Sequence, residues 1–124
     1  MGENVGDRVR DRLSKLDDEP ADRIERLVRA QRNDDRVEAR YQIVAALSNA
    51  GRLRMLSLLV KCECCTCELR AALDLPQSTV STHLSQLFDA GLVHRRREGR
   101  WRYYRATEGV EKLFAALDTV CGGE

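Results

Sequence analysis

Four of the chain's five cysteines, Cys62, Cys64, Cys65 and Cys67, fall within six residues, and the fifth, Cys121, stands apart. Sulfur at that density offers two chemistries. Soft thiolates select soft ions over magnesium or calcium, and metal–sulfur bonds of about 2.3 Å draw ligand sulfurs to within about 4 Å of each other. Oxidation is the other route, because Cys62-x-x-Cys65 and Cys64-x-x-Cys67 both have dithiol spacing. The plain alternative is that some of the four are ordinary buried small hydrophobes. An odd, clustered set is unlike the spread cysteines of a secreted disulfide scaffold and fits a reducing compartment. His83 and His94 are too few and too scattered for a histidine-rich site. Positions 64 and 67 share a helix face, being three apart. Positions 65 and 67 point about 200° apart on a regular helix, so joint ligation by them requires its start to unwind.

A second constellation lies downstream. Gln77, Ser78, Thr79, Ser81, Thr82, His83 and Gln86 form the polar face of a segment whose apolar residues are Val80, Leu84 and Leu87. Short hydroxyls permit close approach to phosphates and base edges, and glutamine can bond adenine in bidentate fashion. Arg95, Arg96, Arg97, Arg100, Arg102 and Arg105 follow within residues 93–107, against Glu98 alone, although the whole chain nets only +1. That local excess is the footprint of phosphate contact. A polar surface helix beside a solvated basic hairpin is the bland alternative.

The elements that carry these groups read as follows. The 124 residues are 43% hydrophobic and 33% charged, which suits one ordinary domain with many solvated helix faces. Val5, Val9, Leu13 and Leu16 have helical spacing, and Asp17-Asp18-Glu19-Pro20 breaks that helix before a second with Ile24, Leu27 and Val28. Residues 1–33 are thus expected to be a helical arm, dimer-associated or partly frayed, before a domain over 34–124. Val37, Tyr41, Val44 and Leu47 mark the first core helix, and Leu53, Leu56, Leu59 and Val60 the second. The third is expected over Cys65–Leu73, with Leu69, Ala72 and Leu73 inward. Asp74-Leu75-Pro76 is a tight break before a fourth helix, which Gly91 would cap. Strands are expected over Leu92–Arg96 and Trp101–Ala106 about a Glu98-Gly99 turn. Val110, Leu113, Phe114, Leu117 and Val120 define a last helix. No apolar run nears the roughly 18 residues of a membrane span. Met1 to Lys15 carries charges of both signs without a signal core. The expectation is a soluble, cytoplasmic chain.

Ser78-Thr79-Val80-Ser81-Thr82-His83-Leu84, Ala90-Gly91-Leu92-Val93 and Glu98-Gly99-Arg100-Trp101-Arg102-Tyr103-Tyr104 resemble the ArsR/SmtB family of metal-responsive repressors. Asn49-Ala50-Gly51-Arg52-Leu53-Arg54-Met55-Leu56 also looks like the family's second-helix entry. The resemblance runs from about Val37 to Val120. It implies a mainly α, dimeric winged helix-turn-helix fold whose first and last core helices build the dimer interface. It also implies repression of an operon, relieved by an inducer. Glu63-Cys64-Cys65-Thr66-Cys67-Glu68-Leu69 stands where arsenite- and cadmium-type members carry Glu-Leu-Cys-Val-Cys-Asp-Leu. Cys65 and Cys67 then match the box cysteines, and Cys64 is an extra thiol. Where some relatives place a further cysteine this chain has Arg70, so the third ligand falls to Cys64, Cys62 or Cys121. The last helix offers Glu108, Glu111, Lys112, Asp118 and Thr119 but no histidine, unlike zinc-sensing relatives.

Taken together, the expected function is a repressor, not an enzyme, that binds duplex DNA at a two-fold symmetric operator as a homodimer, with no membrane partner. It needs no cofactor for DNA binding. Its expected inducer is As(III) or Sb(III) at Cys64, Cys65 and Cys67, with Cd(II), Pb(II) or Zn(II) behind them. A thiol-redox-sensing repressor of the same fold is the nearest alternative. A small thiol oxidoreductase or arsenate reductase is more distant, because no βαβ unit flanks the cysteines. A metal-independent DNA-binding or interaction module with incidental cysteines is the last.

Overall fold

The computed structural model describes residues 19–122. The helix expected over Val5–Leu16 lies outside those residues. The chain divides after Glu38 into two compact units. In the first, α1 (Pro20–Arg32) starts with proline at its first position, where the missing N–H needs no partner. Asp22 in its first turn and Arg29 and Arg32 in its last complement the helix dipole.

The second unit holds most of α2 (Val37–Leu47), then α3 (Ala50–Lys61), β1 (Cys64–Cys65), α4 (Thr66–Leu73), α5 (Gln77–Asp89), β2 (Val93–Glu98), β3 (Trp101–Ala106) and α6 (Gly109–Val120). Asn49 starts α3 by accepting the Arg52 N–H at 3.0 Å, a cap worth about 1 kcal/mol. Val80, Leu84 and Leu87 recur at i, i+4 and i+7, which places them on one face of α5. They are buried with Met55, Leu56 and Leu59 of α3, Leu69 of α4, and Leu92, Val93, Tyr104 and Val110. This shared core fixes α5 against α3, α4 and the sheet.

Between α4 and α5 the chain turns at Asp74, whose φ of 52° is left-handed. Its N–H and that of Leu75 both reach the Arg70 carbonyl. Pro76, extended, then precedes the first turn of α5. At the far end of α5, Gly91 adopts φ 77°. The N–H groups of Gly91 and Leu92 bond the carbonyls of Phe88 and Leu87 at 3.0 and 2.9 Å, closing a Schellman motif.

Three features differ from the sequence expectations. Cys64 and Cys65 form a short strand, paired to Tyr104 and Tyr103, so the sheet has three strands in the order β1-β3-β2. Helix α4 therefore starts at Thr66 with Cys65 as its extended N-cap, and Cys64 does not share a helical face with Cys67. The hairpin turn is Gly99–Arg100, since Glu98 pairs with Trp101. Gly99 has φ 61°, the first central position of a type II′ turn. Ala72 is exposed, and only Leu69 and Leu73 of that trio are covered.

Apolar side chains remain outside this core. Tyr41 and Val44 on α2 are 61% and 62% exposed, and Val120 on α6 is 85% exposed. No single helix among the described residues is long and apolar enough to cross a membrane.

Candidate nucleic-acid interface and cysteine segment

Helix α5 keeps most of its polar residues exposed. Gln77, Ser78, Ser81 and Thr82 are exposed and Thr79 is half-buried. The Thr82 hydroxyl donates to the Ser78 carbonyl at 2.9 Å and keeps its oxygen free to accept. No side chain caps the start of α5 and no acidic residue sits in its first turn. Its leading N–H groups are thus available to an anion such as phosphate.

His83 and Gln86 are placed differently. Arg52 of α3 donates to Gln86 Oε1 and to the carbonyls of Ala45 and Ala46, tying α5 to the end of α2. His83 lies against Gly51. Burial, then the Arg52 charge, lower its pKa, and its Nδ1 is buried without a hydrogen-bond partner. His83 is half-buried against α3, and Gln86 is exposed one turn after Thr82 with its oxygen held by Arg52, while sequence reasoning placed both in the reading set.

The hairpin sorts its arginines by strand parity. Residues 94, 96 and 98 lie opposite 105, 103 and 101, and residues 93, 95 and 97 opposite 106, 104 and 102. Alternate residues of a strand face opposite sides. On the first face, Arg96 donates to both Glu63 oxygens at 2.8 Å and to Glu98 at 2.8 Å, and its guanidinium lies 4.6 Å from the Tyr103 ring centre. That hydrogen bond is the main cause holding the Glu63 carboxyl below its ordinary pKa. Arg105 and His94 meet Glu108 on the same face. On the second face, the Arg95 guanidinium covers the Phe88 ring at 3.9 Å. Among the described residues, Arg97, Arg100 and Arg102 make no ion pair.

Between this second face, α4 and α5 lies a cleft of about 370 Å³. Gln77 and Ser81 line it from α5, Cys67 and Arg70 from α4, and Arg95, Arg100, Trp101 and Arg102 from the hairpin. Its walls hold four arginines and no carboxylate, so the cavity favours an anion. Sequence reasoning missed Arg70 and Trp101, because only the folded arrangement brings α4 and the turn of the hairpin to the same opening.

The cysteines occupy the join of β1 and α4. Cys62 and Cys64 are nearest, Sγ to Sγ at 3.7 Å, with Cys64 Sγ also 3.6 Å from the Cys62 carbonyl. Burial, then the hydrogen bond with Cys62, push the Cys64 thiol up to about 12. Cys65 is half-buried, and its N–H donates to Glu68 at 2.8 Å. Cys67 is exposed, as is Cys121 at the end of α6. Among the described residues no three cysteine, histidine or acidic side chains form a group that could hold an ion. The fold thus gathers the thiols into one segment without assembling three of them.

A family profile described as bacterial regulatory protein, arsR family, matches residues 49–95, from the cap of α3 into β2. A Halobacterium salinarum protein that bears the name arsenical resistance operon repressor is 39% identical over 92 residues, covering 73% of this chain and 77% of that protein. The solution structure of a homodimeric winged helix-turn-helix DNA-binding domain from Mycobacterium bovis superposes with a TM-score of 0.66 at 33% identity, covering 73% of this chain and 87% of that one. The crystal structure of NolR from Sinorhizobium fredii does so with a TM-score of 0.66 at 33% identity, covering 73% and 91%.

Proposed function

This chain belongs to the ArsR family of DNA-binding transcriptional repressors, and from that premise we propose that trivalent arsenic or antimony releases it from its operator by bonding thiols of the Cys62–Cys67 segment. The observation that carries this reading is four cysteines in six residues at the join of β1 and α4, next to both the reading helix and the hairpin. Trivalent arsenic is soft and suits a trigonal sulfur set. Three thiols displace three hydroxides as water, so the arsenic keeps its oxidation state and no oxidant is needed. Cys65 and Cys67 are the essential ligands and Cys64 the third. The name of the Halobacterium salinarum relative supports this choice of inducer.

The protein binds a two-fold symmetric operator as a homodimer in this reading. Exposed apolar faces on α2 and α6 are the surfaces that a second copy would cover, and one short reading helix spans too few bases alone. Gln77, Ser78, Thr79, Ser81 and Thr82 read the major groove. Arg95, Arg97, Arg100 and Arg102 hold phosphates.

The test is operator binding by fluorescence anisotropy under a non-dithiol reductant, with arsenite titrated in. Coupling between inducer and DNA is typically 1–3 kcal/mol, or roughly 5- to 150-fold in operator affinity. The Cys65→Ser, Cys67→Ser double variant should bind operator normally and ignore arsenite, and Cys121→Ser should respond like wild type. Release of the double variant at wild-type arsenite levels would place the inducer elsewhere. One observation favours a second reading: the 3.7 Å approach of Cys62 and Cys64 suits oxidation by a peroxide, with loss of two protons and two electrons to a disulfide. If mild peroxide releases DNA and arsenite does not, that reading replaces the first.

A further inference from the structure

We propose that the Glu63–Arg96 ion pair carries inducer binding from the cysteine segment into the hairpin, a reading that rests on the inducer site proposed above. Glu63 immediately precedes β1, and its two carboxylate oxygens each accept from Arg96 at 2.8 Å, a bidentate geometry that fixes angle as well as distance. Arg96 lies directly across from Tyr103 in the β2–β3 register and covers its ring. Tyr103 in turn pairs with Cys65, and Tyr104 with Cys64. Three consecutive residues, Glu63, Cys64 and Cys65, are therefore each fastened to the hairpin.

Loading the site must move that segment. Cys64 is buried at 8% exposure and Cys67 is exposed on the first turn of α4, while ligand sulfurs must converge to within about 4 Å. A shift of β1 toward Cys67 pulls Glu63 against Arg96 and β1 against β3. The hairpin is the element that presents Arg97, Arg100 and Arg102 for phosphate contact. Arg96 is then a positioning residue, its charge already satisfied by two carboxylates.

Exposed ion pairs add little to stability, so substitutions here leave a folded protein. Full-length wild type, Glu63→Gln, Arg96→Gln and the swap Glu63→Arg, Arg96→Glu are compared, with sodium arsenite as the probe. Arsenic uptake is read by the sulfur–arsenic ultraviolet absorption and operator affinity by anisotropy. Both single variants should take up arsenite as wild type does and bind operator within about 3-fold of it. Arsenite should then weaken their operator binding by less than about 3-fold, against the roughly 5- to 150-fold typical of such coupling in wild type. The swap should restore the wild-type response. Arsenite release of Glu63→Gln equal to wild type overturns the coupling while leaving the inducer site intact. Loss of arsenic uptake in the single variants also overturns it, because the pair would then serve the ligands. A wild type that arsenite does not release overturns the inducer site and the coupling together.

Discussion

Gly51 gives His83 its place: a Cβ on Gly51 would stand 2.9 Å from the His83 Nε2 and 3.0 Å from the Asn49 Oδ1 that caps α3. Glycine here lets α5 approach the first turn of α3 without displacing either group. Alanine ordinarily stabilises a helix interior by about 0.5–1 kcal/mol over glycine. In wild type, Gly51→Ala should instead lower stability, since it must displace the imidazole or the cap. In a His83→Ala background the same change should cost less, because only the 3.0 Å approach to the Asn49 Oδ1 remains. Urea unfolding of the four proteins in this cycle measures the coupling between the two positions.

His83 also predicts a pH dependence. Burial, then the Arg52 charge, hold its pKa below the ordinary value of 6.5. The unfolded chain therefore binds more protons than the folded one in this range, and stability rises with pH. The contribution is complete above pH 6.5 and is lost as pH falls through the lowered value. Glu63, held low first by the Arg96 hydrogen bond, loses its contribution only as pH falls below its ordinary value of 4.5, so the onset of the decline near pH 6.5 does not involve it. His83→Gln should flatten the decline that begins below pH 6.5, as read by urea midpoints across pH.

Strand parity predicts that the hairpin arginines differ in their hold on DNA. Arg97 and Arg102 share the face without carboxylates, whereas Arg96 is neutralised by Glu63 and Glu98. Arg97→Gln and Arg102→Gln should each reduce the slope of log affinity against log salt by about one. Arg96→Gln should change that slope by much less. Equal slopes for Arg96→Gln and Arg97→Gln would contradict the division.

The helices were readable because each repeats its own signal. Val80, Leu84 and Leu87 state the buried face of α5 three times, and Gly91 marks its end with the one residue type that takes φ 77° without strain. The sequence also showed where the thiols cluster and which strands carry the arginines. It did not show β1, because two residues have no period, and a helix pattern anchored on Leu69 and Leu73 extends back over Cys65 unopposed. The role of Arg96 was hidden for another reason. Its partner Glu63 lies 33 residues away, and a run of three arginines does not reveal which one turns toward it. His83 and Gln86 were grouped with the reading residues on polarity, and their contacts with Gly51 and Arg52 are visible only once α5 is packed on α3.

Cys67 supplies the last prediction, because it belongs to both constellations. It lines the arginine cleft together with Arg70, Arg95 and Arg102, and it is exposed. A DNA phosphate held by those arginines would cover its sulfur. Operator DNA should therefore slow alkylation of Cys67 by iodoacetamide at least about tenfold at saturating DNA, since only the unbound fraction reacts. Exposed Cys121, on α6, should react at nearly the same rate with or without DNA. Peptide mass spectrometry of protein quenched at intervals reads both sites in one sample. The charge of the adduct gives an independent check. Iodoacetate leaves a carboxylate among four arginines, where iodoacetamide leaves a neutral amide of similar size. The carboxymethyl form should bind operator more weakly than the carboxamidomethyl form, with a smaller salt slope, because the new anion competes for the same guanidinium groups. Equal alkylation rates at Cys67 with and without operator would remove the cleft from the DNA-binding face.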